Sequence, residues 1–543
     1  MGFTLLMTKV RTPLLVLGFL AMGLLGFWLA GTAAPQPVAK REEHKNETVK
    51  AKPPSISEEP PQFRRATREK TFRPDQEAAD AGALQGQRVL VFKDQAALEA
   101  FLKKAGNHLK IMGRLDALNA LRVGFLNANV LAGLLDGNEE ISMVFPIQIP
   151  TNGEGIAQTD AVPLGANLLE WLGISGDNST WGEGIKIAIL DTGVMQHTGT
   201  SGKISWINLL GDDAPPMTNG HGTAVASMIN GTNPLAPGVA PAAEILSFRI
   251  ADNDGRGTSY DLAAGIIAAV DAGAKLINIS MGGYGTDALT RNAIEYALSK
   301  GAVIFGASGN NGTNQVANPA ANKGVLAIGA VDAAGNHLNF SNTGSQIAFS
   351  APGFGINAAY TNNQYVSMSG TSLSTPIFLG ATAGVMTAMK VNADQAIQLM
   401  YKYSNDVGEA GYDQATGAGV PDIGRILNSN TRGIYDAALA SQRVIPPSAA
   451  YPYGQIEVVI QNRGTESLIN TRVTIQTPAG IVTNNITSLV PQAVRAVRVP
   501  ITVAPRQDGN LLNYSSQVSL TQGRQDSKPS NDRLSYTYAP TVK

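Results

Sequence analysis

Five apolar runs in the middle of the chain constrain its fold more than any other feature: Ile185–Leu190, Ile245–Ile250, Leu276–Ser280, Ala302–Gly306 and Val325–Val331. Each is continuous rather than alternating, as expected of strands buried on both faces. Between them lie stretches with helical spacing of apolar residues, Thr223–Ile229, Tyr260–Ala272 and Ala288–Lys300. Alternating strands and helices predict an α/β unit with a mainly parallel sheet and helices on both faces. Residues that follow the carboxyl ends of such strands gather at one rim, where ligands bind.

Four chemically distinct groups fall at that rim. The first run ends in Asp191-Thr192-Gly193, a carboxylate, and Asn219-Gly220-His221-Gly222-Thr223 places an imidazole at a helix start. Ala302–Gly306 runs into Ala307-Ser308-Gly309-Asn310, which supplies an amide. Ser367 to Lys390, SMSGTSLSTPIFLGATAGVMTAMK, predicts a nucleophile mounted on a helix. Gly370 permits a sharp turn, and Ser372 falls where free N–H groups favour developing negative charge. Pro376 is expected in the first turn, where its missing N–H does little harm. Gly380, Ala381, Ala383 and Gly384 give the helix a narrow face, which predicts a central, buried position. Singly, Asp191 reads as a cap, His221 as a satisfied core histidine, Asn310 as the left-handed residue of a turn and Ser372 as an N-cap. Together they require four coincidences in one order. With no cysteine and histidines only at 44, 108, 197, 221 and 337, an imidazole base comes from a short list. His197, among Gly and Thr with no helix following, reads as a loop residue.

Asp, then His, then Ser is the chain order of subtilisin. The segments D-T-G at 191–193, H-G-T at 221–223, G-N at 309–310 and G-T-S-L-S-T-P at 370–376 resemble those of the subtilisin-like serine proteases, the subtilases of peptidase S8 type. Gly238-Val239-Ala240-Pro241 and Ile277-Asn278-Ile279-Ser280-Met281-Gly282 extend the resemblance, which covers Val162 to Gly433. It implies a serine endopeptidase acting on polypeptides. Ser372 would be the nucleophile, His221 its base, Asp191 the group orienting His221, and Asn310 an oxyanion donor together with the backbone N–H of Ser372. Substrate would add as a β-strand between Ser280-Met281-Gly282 and Gly255-Arg256-Gly257. Ala307, Ser308 and Gly309, with Pro319-Ala320, would wall a first pocket suited to apolar side chains. The sequence departs from the family pattern at Ala224, Ser227 and Ser374, none of them a catalytic position. No cofactor is required for this chemistry and no metal ligands are assigned. The segment Thr223 to Gly238 is too short for the calcium loop of many relatives, which leaves structural calcium open. A catalytically inactive scaffold serving as a surface binding module is the alternative from another functional class.

The flanks have a different texture. Lys9 and Arg11 precede an apolar stretch centred on Pro13 to Ala30, and small residues follow. Residues 1–34 therefore read as an export segment, either a cleaved signal or a single membrane anchor, with the remainder extracytoplasmic. Residues 35–87 read as a flexible spacer. Residues 88–149 carry a β-α-β-β-α-β pattern, with strands at Arg88–Lys93, Leu109–Met112, Leu121–Leu126 and Ile141–Ile147, predicting a ferredoxin-like unit. The resemblance implies that this unit is a propeptide and a partner of the protease domain, 150–433, through the connector Pro150 to Val162. Residues 434–543 alternate between turn residues and predict a small β-sandwich, resembling CARDB-type accessory domains. A net charge of -1 gives no electrostatic case for nucleic acid.

Overall fold

The computed structural model describes residues 74–150, 158, 160–502 and 512–538. The export segment at 1–34, the spacer up to residue 73 and connector residues 151–157 and 159 lie outside the described residues.

Among the described residues the largest sheet has seven strands, all parallel. Their order is Ile347–Pro352, Val325–Val331, Val303–Ala307, Leu276–Ile279, Lys186–Asp191, Glu244–Arg249 and Ile204–Asn208. The five predicted runs form its middle. Alternate residues of Lys186–Asp191 explain their unbroken apolar character: Ile187 and Ile189 enter one core, Ala188 and Leu190 the other. Helices His221–Asn230 and Thr371–Met389 contribute to the first core. Ser259–Asp271 and Ala288–Ser299 contribute to the second. Chain order reverses direction across the sheet beside Lys186–Asp191, which puts a switch-point crevice at the end of that strand.

The helix Thr371–Met389 is central, as expected, and Thr371 through Val385 are buried. A Cβ on Gly384 would lie 2.6 Å from the Trp181 ring, so the small face serves close approach. Pro376 corrects an expectation. It is the helix's sixth residue rather than part of the first turn, so its missing N–H leaves the carbonyl of Ser372 without the usual helical donor. The hydroxyl of Ser280 donates to that carbonyl at 2.7 Å.

The N-terminal unit forms an antiparallel sheet in the order Lys110–Leu115, Ala120–Gly124, Gln87–Val91, Glu140–Ser142, with helices Gln95–Ala105 and Ala128–Leu134. Leu90, Leu98, Phe101, Leu121 and Leu131 fill its core. Ordered structure starts before residue 88, with helix Pro74–Asp80, whose Ala78 packs with Ala83 and Phe145. The strand expected over Ile141–Ile147 divides in two. Glu140–Ser142 stays in the sheet, and Pro146–Gln148 leaves it to pair antiparallel with Arg256–Thr258.

Beyond residue 433, Ala437–Ile445, Gln455–Asn462 and Val494–Pro500 form one antiparallel sheet, and Gly480–Leu489, Leu468–Thr477, Leu512–Ser519 and Arg533–Tyr538 another. Leu439, Val458, Ile460, Val473, Ile475 and Val518 share one core. This sandwich meets the preceding chain through a polar seam. Arg425 Nη1 donates to Ser404 O at 3.0 Å and Asn405 Oδ1 at 2.7 Å, and its Nη2 donates to Gln492 Oε1. Arg463 Nη2 donates to Asp406 O at 3.2 Å, while Gln461 accepts from Asp406 N and donates to Ser404 O, both at 3.0 Å.

Candidate active site

Asp191 ends its strand fully buried at the switch point, and its Oδ1 accepts from Thr192 N at 2.7 Å. His221 opens its helix, where Asn219 Oδ1 accepts its backbone N–H at 2.9 Å. The imidazole Nδ1 stands 2.9 and 3.0 Å from the two oxygens of Asp191. A carboxylate in that position fixes the tautomer, with the proton on Nδ1 and Nε2 free to accept one.

Ser372 is the second residue of its helix. Gly370, at φ 148 and ψ 156, makes the turn before it, in a region few other residues adopt. Asn310 is oriented by the same helix start: its Oδ1 accepts from Thr371 N at 2.9 Å and Thr371 Oγ1 at 2.8 Å. That leaves its Nδ2 as the donor, and it reaches the main-chain carbonyl of Pro150 at 3.0 Å. Asn310 is not left-handed; Gly309 before it takes the positive φ.

The strand from the N-terminal unit occupies the expected substrate position. Arg256–Thr258 flanks one side, with Gly257 opposite Ile147, and Ile149 N donates to Gly255 O at 2.9 Å. On the other side Gln148 and Gly282 exchange both main-chain bonds, each 2.9 Å. Upstream, Ser259 N donates to Phe145 O at 2.8 Å, Phe145 N donates to Ser259 Oγ at 3.1 Å, and Arg122 lies 3.4 Å from Asp261. Gly255, Gly257 and Gly282 therefore border one strand, while Ser280 is bonded to Ser372 instead. Met281 does not line the cleft with its side chain, which is fully buried in the core under the sheet. Ala307 and Ser308 are buried beside Gly309, whose N–H donates to Thr371 Oγ1 at 3.3 Å.

Ser372 and His221 are not hydrogen-bonded to each other. The Ser372 hydroxyl donates to the main-chain carbonyl of Ser280 at 3.0 Å, and among the described residues nothing bonds to Nε2 of His221. His197 lies apart from this group. It is buried, with Nδ1 accepting from Gly199 N at 2.9 Å and Nε2 3.1 Å from Gln364 O. The loop reading of His197 stands, but it is a packed loop rather than a solvated one. Thr371 also belongs to this group, holding the Asn310 oxygen through both its N–H and its hydroxyl. Thr371 carries a signal, since it precedes Ser372 in G-T-S; Pro150 is readable as the first residue of the connector, but its contact with Asn310 has no local signature.

The subtilase family model, Peptidase_S8, matches residues 182–419. Thermitase of Thermoactinomyces vulgaris is 38% identical over 213 residues, spanning 38% of this chain and 76% of that protein. Subtilisin BL of Lederbergia lenta is 32% identical over 241 residues, 44% of this chain and 89% of that protein. In fold, the chain is similar to the epidermin leader peptide processing serine protease of Staphylococcus aureus, with a TM-score of 0.55 at 21% identity, covering 64% of this chain and 99% of that one.

Proposed function

The chain belongs to the subtilase family and is a serine endopeptidase acting on polypeptides; from that premise we propose that Asp191, His221 and Ser372 form its catalytic triad and Asn310 its oxyanion donor. The observation that carries this reading is the buried pairing of His221 Nδ1 with Asp191. Attack by Ser372 Oγ on a peptide carbonyl sends its proton to His221 Nε2, and Asp191 stabilises the imidazolium. The carbonyl oxygen becomes an oxyanion held by Asn310 Nδ2 and the N–H of Ser372. His221 then protonates the departing amine, and water hydrolyses the acyl-enzyme by the reverse sequence. Among the described residues no group of three or more His, Asp and Glu side chains is gathered for a cation, and no step is routed through one.

The same proposal makes the N-terminal unit a propeptide that the enzyme removes itself, between Phe145 and Val162. Its support is the strand Pro146–Gln148 lying where substrate would lie, with a carbonyl at Asn310. Export through residues 1–34, by cleaved signal or anchor, and a CARDB-type accessory role for the C-terminal sandwich complete the reading.

A fluorophosphonate probe tests the centre. Matured wild-type enzyme should be labelled at Ser372 and the Ser372→Ala protein should not. Label persisting in the variant would mean that another residue is the nucleophile. Mass spectrometry tests maturation: Ser372→Ala should accumulate as the uncut chain.

A further inference from the structure

The docked strand ends in a residue that cannot complete its own hydrogen-bond pattern. Gln148 and Gly282 form a hydrogen-bonded antiparallel pair. In such a ladder the next pair of this kind lies two residues on in one strand and two back in the other, which matches Pro150 with Ser280. The carbonyl of Pro150 faces Asn310, in keeping with that register. The carbonyl that this register brings to the site is therefore that of Pro150, so the bond expected to be cut is the one after residue 150. An ordinary residue at 150 would donate its N–H to the carbonyl of Ser280. Proline has none.

The vacant acceptor is filled from the wrong side. The hydroxyl of Ser372 donates to the Ser280 carbonyl, and His221 Nε2 has no partner among the described residues. In this arrangement the Ser372 hydroxyl is directed at a main-chain oxygen that cannot remove its proton. Building on the self-processing reading above, we propose that Pro150 is a brake on maturation. By lacking an N–H it loosens the scissile residue and lets Ser280 hold the Ser372 proton, so the Pro150–Thr151 bond is opened slowly and the N-terminal unit remains docked as a long-lived inhibitor.

The reaction being slowed is ordinary hydrolysis. Ser372 Oγ bonds to the Pro150 carbonyl carbon, its proton passes to His221, and the C–N bond to Thr151 breaks as that nitrogen takes the proton. One water then releases a Pro150 carboxylate and regenerates Ser372. Any residue at 150 with an N–H should compete for Ser280 O and return the Ser372 hydroxyl to His221.

The test follows the full chain by intact mass after synthesis without other proteases, comparing wild type, Pro150→Ala, Pro150→Val and Ser372→Ala. Wild type should be cut slowly after residue 150. Both position-150 variants should be cut at the same bond at least about fivefold faster, the factor that one neutral hydrogen bond supplies. Equal rates in wild type and variants would overturn the brake while leaving self-processing intact. Acceleration in only one variant would assign the effect to side-chain fit and also overturn it. Ser372-dependent cutting at a different bond would overturn the register, and cutting in Ser372→Ala would overturn self-processing itself. Should a variant not fold, synthetic peptides covering residues 145–155 with Pro or Ala at 150, offered to matured wild-type enzyme, give the same comparison.

Discussion

At the scale of residues, the site depends on groups that use up one another's alternatives. Asn310 could present either end of its amide, but Thr371 consumes the oxygen twice, so only the N–H end faces the cleft. Asn310→Ala is therefore expected to lower kcat by about a hundredfold or more, the loss known for the corresponding donor in subtilisin, with KM nearly unchanged, because the oxyanion exists only after attack. A change confined to KM would remove Asn310 from that role. Ser280 is bound to the helix that carries Ser372 in a second way. Pro376 strips the Ser372 carbonyl of its helical donor, and the Ser280 hydroxyl replaces it. Ser280→Ala should leave a buried acceptor unpaired and destabilise the protein by about 1–3 kcal/mol in denaturant unfolding. An unchanged midpoint would show that the carbonyl finds another donor.

At the scale of elements, continuous apolar runs were legible because burial on both faces leaves no polar alternation to misread. The edge strands were not. Ile204–Asn208 exposes Ser205, Trp206 and Asn208, and Ile347–Pro352 is interrupted by Ser350 and closed by proline. Neither pattern resembles the five middle runs. The order Asp, His, Asn, Ser along the rim was equally readable, since each group follows a strand or opens a helix. What could not be read was the break in Ile141–Ile147. Its second half is a strand only because Arg256–Thr258 and Gly282 lie alongside it, a tertiary cause with no local signature. The small face of Thr371–Met389 was legible in character, while its partner, Trp181, was not. Gly384→Ala puts a methyl against that ring and should cost about 1–3 kcal/mol by overpacking. The same substitution made in a Trp181→Leu background should cost less. Additive losses in the four-protein cycle would show that the glycine matters for some other reason.

At the scale of the whole molecule, the sandwich is held by hydrogen bonds around partly desolvated charges rather than by a purely apolar seam, and such a joint responds to pH. Burial pushes the carboxyl of Asp406 up to about 7, against an ordinary 3.8, with Asp413 adding to the shift and the Gly411 N–H and Arg463 opposing it. Burial also raises Asp436, and Asp532 is pushed up to about 6. A carboxyl whose folded-state pKa lies above its unfolded value holds its proton more tightly when folded. Between the two values the folded protein binds more protons than the unfolded chain, so stability falls as pH rises. For Asp406 the window runs from about pH 4 to about pH 7. Desolvation lowers both guanidinium groups nearby, bringing Arg425 down to about 10, still above that window, and pushing Arg463 down as well. Asp406→Asn keeps an oxygen that can accept from Gly411 N, now 3.1 Å from Asp406 Oδ2, and removes the titration. In a Ser372→Ala background, chosen because Ser372 is the proposed nucleophile, the Tm of the Asp406→Asn protein relative to its parent should rise steadily between about pH 4 and pH 7 and level off above. A constant difference across that range would mean that Asp406 does not titrate there and that the seam's pH response lies with its other carboxyls.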